Sequence, residues 1–306
     1  MRVFALSDVH ADFRENLKLI ASISKRAHCE DALILAGDVS HDLGRLREAL
    51  QLFLERFQHV FFVPGNHELW IRKREHETSV QKFCDVLRLC DAMGIHTSPK
   101  YIGTGSGRVC IVPLFSWYTR PEEGGDTLFR DRPIEEPTAA VWSDDYLVKW
   151  PETPRFKPSV FFSDINHARV NTVYDAPVLT VSHFLPRADL MFAADGEEMR
   201  GAPDATQRMF NFSRVAGSTL IEAQLRRLGS RVHVYGHQHR NRCRHYDGIW
   251  YISNCLGYAE ERDDRRVQGV PEVVRSVWPL EESGLSEPVL SRPSVVKQEK
   301  YAETVD

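Results

Sequence analysis

Ala32-Leu33-Ile34-Leu35-Ala36-Gly37-Asp38 is an unbroken apolar run that stops on a glycine and a carboxylate. A run this short, with no polar alternation, reads as a strand buried on both faces, as parallel sheets require. The same shape recurs on either side. Upstream, Arg2-Val3-Phe4-Ala5-Leu6 leads into Asp8-Val9-His10; downstream, Val60-Phe61-Phe62-Val63 leads into Gly65-Asn66-His67-Glu68. Helical periodicity fills the gaps. Phe13, Leu17, Ile20, Ala21 and Ser24 share one helical face, and Leu43, Leu46, Leu50, Phe53 and Phe57 recur in steps of three and four. The order β-α-β-α-β predicts parallel strands with right-handed crossovers and all carboxyl ends on one edge. Asp8, Asp38 and Asn66 are therefore expected to meet there.

Further along, Ser79 to Met93 reads as a helix with Val80, Phe83, Cys84, Leu87 and Cys90 facing inward. Strands are expected at Val109 to Leu114, at Val178 to Val181 before Ser182-His183, and at Arg231 to Tyr235 before Gly236-His237-Gln238-His239. A helix from Ser218 to Arg227 precedes that last strand, and Trp250 to Ser253 is expected to close the sheet. Residues 121–158 break into prolines, glycines and acids, which predicts an excursion over the surface. The expected domain spans residues 1–278, followed by a polar, proline-bearing tail over 279–306.

Composition narrows the class. The 306 residues are 42% hydrophobic and 27% charged, ordinary for a globular enzyme, with a formal net charge of -4. That balance argues against broad contact with nucleic acid or an anionic membrane. The cysteines Cys29, Cys84, Cys90, Cys110, Cys243 and Cys255 show no Cys-x-x-Cys spacing, which fits a reduced interior rather than a disulfide framework. No apolar stretch is long enough to span a bilayer, and the first strand begins at Arg2, leaving no room for a signal peptide. The cytoplasm is the expected location. Oligomeric state leaves no signal.

Imidazole, carboxylate and amide oxygen together suit first-row divalent metals without any thiolate. Asp8 and His10 flank a turn at a strand end, and His237-x-His239 offers two imidazoles from one loop. Gly37 and Gly65 relieve crowding beside Asp38 and Asn66. The set predicts two divalent ions, roughly 3.5–4 Å apart, readying a water for in-line attack on phosphorus. Manganese, iron, zinc or magnesium would satisfy such ligands. A histidine beside the cluster would supply the proton that the leaving alkoxide needs.

Those motifs, in order from Asp8 to His239, resemble the calcineurin-like metallophosphoesterase superfamily, whose pattern is Asp-x-His, Gly-Asp, Gly-Asn-His-(Asp or Glu), His, Gly-His-x-His. The resemblance covers about three quarters of the chain. It implies two mixed sheets packed as a sandwich and flanked by helices, an α/β fold with the metals at the shared edge. It also implies that Asp8, His10 and His239 bind one ion, that Asn66, His183 and His237 bind the other, and that Asp38 bridges. His67 would be the general acid or a transition-state hydrogen-bond donor. The chain departs from the pattern at one place. Many relatives carry Asp or Asn three residues after the bridging Asp, to orient the catalytic His. Here His41 stands there, so either Asp42 substitutes or His67 is oriented differently.

Each motif alone has a plainer reading: a capping Asp, a turn, a surface or buried histidine. Only their order makes a metal site. The other eight histidines, His59 and His233 among them, are expected on surfaces or strand flanks. Trp70, Trp117, Tyr118, Trp142 and Tyr258 read first as packing, with Trp117-Tyr118 the best candidates for substrate contact. Arg72 and Arg120 are candidates to hold a phosphate. Asn254 is a candidate support for the metal edge or a turn residue, and Glu260 to Arg266 reads as a solvated face. The function expected is hydrolysis of a small or medium phosphoester, monoester or diester. The alternatives are a protein-binding scaffold on the same fold, from which ligands are usually missing, and a nuclease, which would want a basic groove.

Overall fold

The computed structural model describes residues 1–72, 76–131, 142–153, 155–192, 210–263, 267 and 273–285. Three parallel strands, β1 (Val3–Leu6), β2 (Ala32–Leu35) and β3 (His59–Phe62), lie in near-perfect register, Val3 beside Ala32 and Ala32 beside His59. The crossovers are α1 (Arg14–Ser22) and α2 (Leu43–Leu54). Then come α3 (Ser79–Met93), β4 (Lys100–Ile102), β5 (Val109–Pro113), α4 (Asp144–Leu147), α5 (Pro158–Ile165), α6 (His167–Val170) and β6 (Val178–Val181). The chain continues through α7 (Thr219–Leu228), β7 (Ser230–Tyr235), β8 (Arg242–Tyr246), β9 (Ile249–Ser253), α8 (Ala259–Asp263) and β10 (Arg275–Trp278).

Two mixed sheets result, ordered β10-β1-β2-β3 and β4-β5-β6-β7-β9-β8. The strand alternation explains how each residue of β1 and β2 is used. Val3, Ala5, Ala32 and Ile34 join Ile111, Leu179, Val181, Val232 and Val234 in the core between the sheets. Phe4, Leu6, Leu33 and Leu35 point the other way, onto Leu17, Ile20, Leu46, Leu50 and Phe53 of the outer helices. With both faces covered, neither can be polar. The apolar runs read in the sequence follow from that constraint.

Caps define the helices. Thr78 and Gln81 form a reciprocal capping box at α3, which ends at left-handed Gly94, and Ser218 caps α7, which ends at left-handed Gly229. Asp42 caps α2 by accepting from the Gly44 and Arg45 amides, an interaction that stabilises a helix by about 1 kcal/mol.

Several expectations shift. Phe13 precedes α1 and is half exposed, and Ala21 and Ser24 are exposed, so the inner face of α1 is Asn16, Leu17 and Ile20. The inner face of α3 is rotated toward Lys82, Phe83, Val86, Leu89 and Cys90, leaving Val80, Cys84 and Leu87 half buried. Trp250 to Ser253 does not close its sheet, because β8 pairs outside it. The first sheet gains β10, antiparallel to β1. The ordered core also runs past the boundary expected at 278, since Leu285 is buried within it; residues 286–306 lie outside the described residues. No described helix is long and apolar enough to cross a membrane, and all six cysteines are unpaired.

His233 also departs from expectation. It is fully buried on β7, with Nδ1 on the Thr180 hydroxyl (2.9 Å) and Nε2 on the Ser182 hydroxyl (3.1 Å). Burial alone pushes its pKa down to about 3. Between that value and the usual 6.5 the unfolded chain binds one proton more than the folded chain. Stability that His233 contributes is therefore present above pH 6.5 and drains away as pH falls, by about 1 kcal/mol per pH unit. Urea unfolding of His233→Gln between pH 7 and pH 5 should show a shallower decline than the parent chain; equal slopes would mean that His233 takes up its proton without unfolding.

Candidate metal centre

The carboxyl ends of β1, β2, β3, β6 and β7 converge where the two sheets abut. The abutment is stitched by backbone. Ser7 donates to the Asn254 carbonyl (2.8 Å), and Leu256 and Gly257 donate back to the carbonyls of Ser7 (2.9 Å) and Asp8 (2.9 Å), joining the loop after β1 to the loop after β9. Asp8, His10, Asp38, His237 and His239 all adopt left-handed backbone, with φ between 45° and 72°. Non-glycine residues occupy that region at a cost, and such strain collects at functional sites.

The side chains meet in overlapping groups. Asp8, His10 and His239 bring ligand atoms within 4.8 Å of one another, as do Asp38, His183 and His237, and also His10, Asp38 and His67. Asn66 joins through its Oδ1, 3.1 Å from His183 Nε2. The ring nitrogens His10 Nε2 and His239 Nε2 face each other at 2.9 Å. Tautomers follow from the outer contacts. His183 Nδ1 donates to the Ala36 carbonyl (2.8 Å) and His237 Nε2 to that of Val215 (3.0 Å), freeing the opposite nitrogen of each ring for a cation. His239 Nδ1 meets Glu261 Oε2 at 2.7 Å, turning Nε2 toward His10.

The protonation landscape is that of crowded charge. Burial drives the His10 and His237 rings well below the usual histidine range, with neighbouring imidazoles adding to it. Burial opposes ionisation of Asp38, yet the charges of His183 and His67 hold its carboxyl well below the usual carboxylate range. His67 is pushed down to about 4, chiefly by burial. A dense, nearly dry nest of nitrogen and oxygen donors without thiolate fits two divalent cations.

Gly37 and Gly65 make the approach possible. A Cβ on Gly37 would lie 2.5 Å from His183 Nδ1, and one on Gly65 would overlap Asp38 Oδ1. Glu68, quoted in the sequence among ligand-type residues, has a different task. Its carboxylate accepts from the amides of Asp38 (2.9 Å), Val39 (2.6 Å), Ser40 (2.9 Å) and Gly65 (2.7 Å), tying the loop after β2 to the loop after β3. Burial and the charge of Asp38 raise its pKa to about 7 against the pull of those donors.

The remaining candidates sort by contact. Trp117 is core, edge-on to Trp150 (4.9 Å) and Phe184 (5.0 Å), so it has no face for substrate. Tyr118 is buried and its hydroxyl donates to Asp144 (3.1 Å). Arg120 is paired with Asp145 and lies over the Tyr118 ring. Arg72 is exposed, 5.2 Å above the Trp70 ring, which itself stacks on His67 at 3.6 Å. Of the two arginines named as phosphate candidates, Arg72 is the exposed one and Arg120 is half-buried. Asp42 turns its Oδ1 to cap α2, and His41 pairs with Asp12 at 3.1 Å. Asn254 donates to the carbonyls of Ala5 (2.9 Å) and Val273 (3.2 Å), bracing β1 just before Asp8.

Two contributors escaped the sequence reading. Glu261, in a run that reads as a solvated face, holds His239; residues 264–266 of that run lie outside the described residues. Asp144 sits in the expected surface excursion, whose residues 132–141 and 154 are outside the described ones, yet it is buried and accepts from the Asn66 amide nitrogen (2.9 Å). Tyr258, expected as packing, stacks on His10 at 4.5 Å.

A family model described as calcineurin-like phosphoesterase matches residues 1–241. The chain is 28% identical over 273 residues to the acyl-carrier-protein phosphodiesterase PptH of Mycobacterium tuberculosis, covering 85% of this chain and 78% of that protein. The crystal structure of phosphopantetheinyl hydrolase (PptH) from Mycobacterium tuberculosis superposes with a TM-score of 0.69 at 23% identity, over 91% of this chain and 96% of the other. That likeness bears on the fold.

Replacing Glu68 with Gln leaves one oxygen for the amides and turns an NH2 group against the rest. Leaving buried donors unpaired should cost about 2–4 kcal/mol and lower metal content, read from urea midpoints and elemental analysis. Unchanged stability would show that the two loops do not depend on this carboxylate.

Proposed function

This chain belongs to the calcineurin-like phosphoesterase family, and from that premise we propose that its substrate is the phosphodiester joining a phosphopantetheine arm to an acyl carrier protein. The chain is a metal-dependent phosphoric ester hydrolase, as its family is. What supports the narrower reading is similarity to PptH along most of both chains. The observation that carries the hydrolase chemistry is the convergence of Asp8, His10, Asp38, His183, His237 and His239 into overlapping groups.

In this reading Asp8, His10 and His239 hold one ion, Asn66, His183 and His237 hold the other, and Asp38 bridges. Paired divalent cations, when bound, acidify water near neutral pH and neutralise charge on the phosphoryl oxygens. The chain's own residues do the rest. Glu68, Glu261 and the Ala36 and Val215 carbonyls fix ligand orientation. His67, with Nε2 3.7 Å from Asp38 Oδ2 and its ring flat on Trp70, faces the departing oxygen as acid or hydrogen-bond donor. Arg72, over the Trp70 ring that stacks on His67, is assigned to a non-bridging phosphate oxygen. Manganese is one of the ions that such oxygen and nitrogen ligands accept, and unpaired cysteines suit a cytoplasmic setting. The complete ligand set weighs against a scaffold role, and the net charge of -4 against a nuclease.

Asp38→Asn and His237→Ala should each lower both bound metal and turnover. His67→Ala should keep its metal and lose about 100-fold or more in kcat, most severely with alkyl leaving groups. An alkyl phosphodiester hydrolysed by His67→Ala at the parental rate would remove the proton-donor assignment.

The substrate is tested with metal-reconstituted protein against a phosphopantetheinylated acyl carrier protein, phosphomonoesters and dinucleotides. Release of phosphopantetheine, followed by mass spectrometry, should outpace the others in kcat/KM. Preference for a monoester or a dinucleotide would overturn the carrier-protein assignment and leave the phosphoesterase intact.

A further inference from the structure

The position three residues after Asp38, where relatives carry a carboxylate or amide to orient the catalytic histidine, holds His41, and Asp42 beside it is used as a helix cap. Another carboxylate reaches the same neighbourhood from elsewhere in the chain. Asp144, on α4, is buried, and four donors converge on it. Its Oδ1 accepts from Asn66 Nδ2 (2.9 Å) and Trp70 Nε1 (2.6 Å), and its Oδ2 from Trp142 Nε1 (2.9 Å) and the Tyr118 hydroxyl (3.1 Å).

We propose that Asp144 is a positioning residue that sets two parts of the metal centre at once, fixing the amide of Asn66 oxygen-inward and holding Trp70 flat against His67. The inference rests on the ligand and proton-donor roles given above to Asn66 and His67. An indole nitrogen only donates, so with Trp70 and Trp142 on its two oxygens Asp144 offers acceptors to both sides. An asparagine beside such a group must turn its NH2 toward it, which leaves Oδ1 facing His183 Nε2 and the ions. Reversed, the amide would present hydrogens to a cation and oxygen to a carboxylate. The second branch runs through Trp70. Its ring lies 3.6 Å from that of His67 at 29°, close enough that rotation of the indole would displace the imidazole. Lys82, donating to the His41 and Trp70 carbonyls, pins the same loop from α3. The two branches share one oxygen, yet they fail differently. Losing the first should weaken metal binding; losing the second should misplace the proton donor.

The test uses the full-length metal-free protein titrated with manganese, together with kcat on an alkyl and a p-nitrophenyl phosphodiester. Asp144→Ala should weaken the second manganese equivalent by about 10–100-fold and lower kcat more than it raises KM, with the larger loss on the alkyl ester. In the metal-free protein the Trp70 indole N–H resonance should move upfield once its anionic acceptor is gone. Trp70→Phe keeps an aromatic face and leaves the bond from Asn66 to Asp144 untouched. It should hold manganese within about threefold of the parent and still lose rate on the alkyl ester. Asp144→Asn retains one accepting oxygen and should recover most of the manganese affinity lost in Asp144→Ala; should Asp144→Ala not fold, Asp144→Asn and Trp70→Phe carry the comparison. Parental manganese affinity and an unchanged alkyl-to-aryl ratio in the Asp144 variants, with parent protein binding two equivalents, would overturn this inference alone. Parent protein that bound no manganese would overturn the metal assignment and this inference with it.

Discussion

Two imidazole nitrogens 2.9 Å apart, His10 Nε2 and His239 Nε2, stand beside the carboxylates of Asp8 and Asp38; all are buried except His239, which is half-buried. With one proton between them, the two nitrogens make a hydrogen bond, and the carboxylates are balanced by the His183, His67 and His239 rings. A divalent cation would take the place of several of these contacts together. Much of the surrounding structure keeps that close arrangement in place. The amides around Glu68, the stitches between the sheets and the left-handed turns at Asp8, His10, Asp38, His237 and His239 all resist the relaxation that would spread the ligands.

Much of this was legible because one constraint left a strong trace in composition. Strands covered on both faces must be apolar throughout, so β1, β2, β3, β5 and β6 stand out as short uninterrupted runs, and all but β5 are followed at once by a turn that carries ligand-type residues. Ligand-type residues just past such runs declare themselves. Asp8, Asp38, Asn66 and His183 each stand just past such a run, but it was their order along the chain that read as a site, and Gly37 and Gly65 fit because the approach of His183 and Asp38 leaves no volume for a side chain.

What stayed hidden shares another property: it depends on pairs far apart in the sequence. Glu261 lies in a charged run whose surface-like composition gives no hint of the His239 ring 22 residues earlier. Asp144 reaches Asn66 across 78 residues from a stretch whose prolines and glycines read as an excursion. β10 is only four residues long and gains its place by pairing with β1 at the opposite end of the chain. The inner face of α3 was misjudged because buried Lys82 carries a charged group where periodicity looks for carbon, and its ammonium is satisfied by the carbonyls of His41 and Trp70. Trp117 follows the plainer of its two readings, an aromatic that packs against Trp150 and Phe184.

The scatter of the ligands from Asp8 to His239 bears on the order of events during synthesis. At roughly 5–20 residues per second, a ribosome needs about 10–50 s to make the residues between the first ligand and the last. The early strands can pair during that interval, but of the proposed ligands the nascent chain would then present only Asp8, His10, Asp38 and Asn66. The set is completed only when His183 and the two histidines that follow β7 have left the ribosome. A centre assembled from both ends of the polypeptide in this way would take its full complement of ions after synthesis is nearly over.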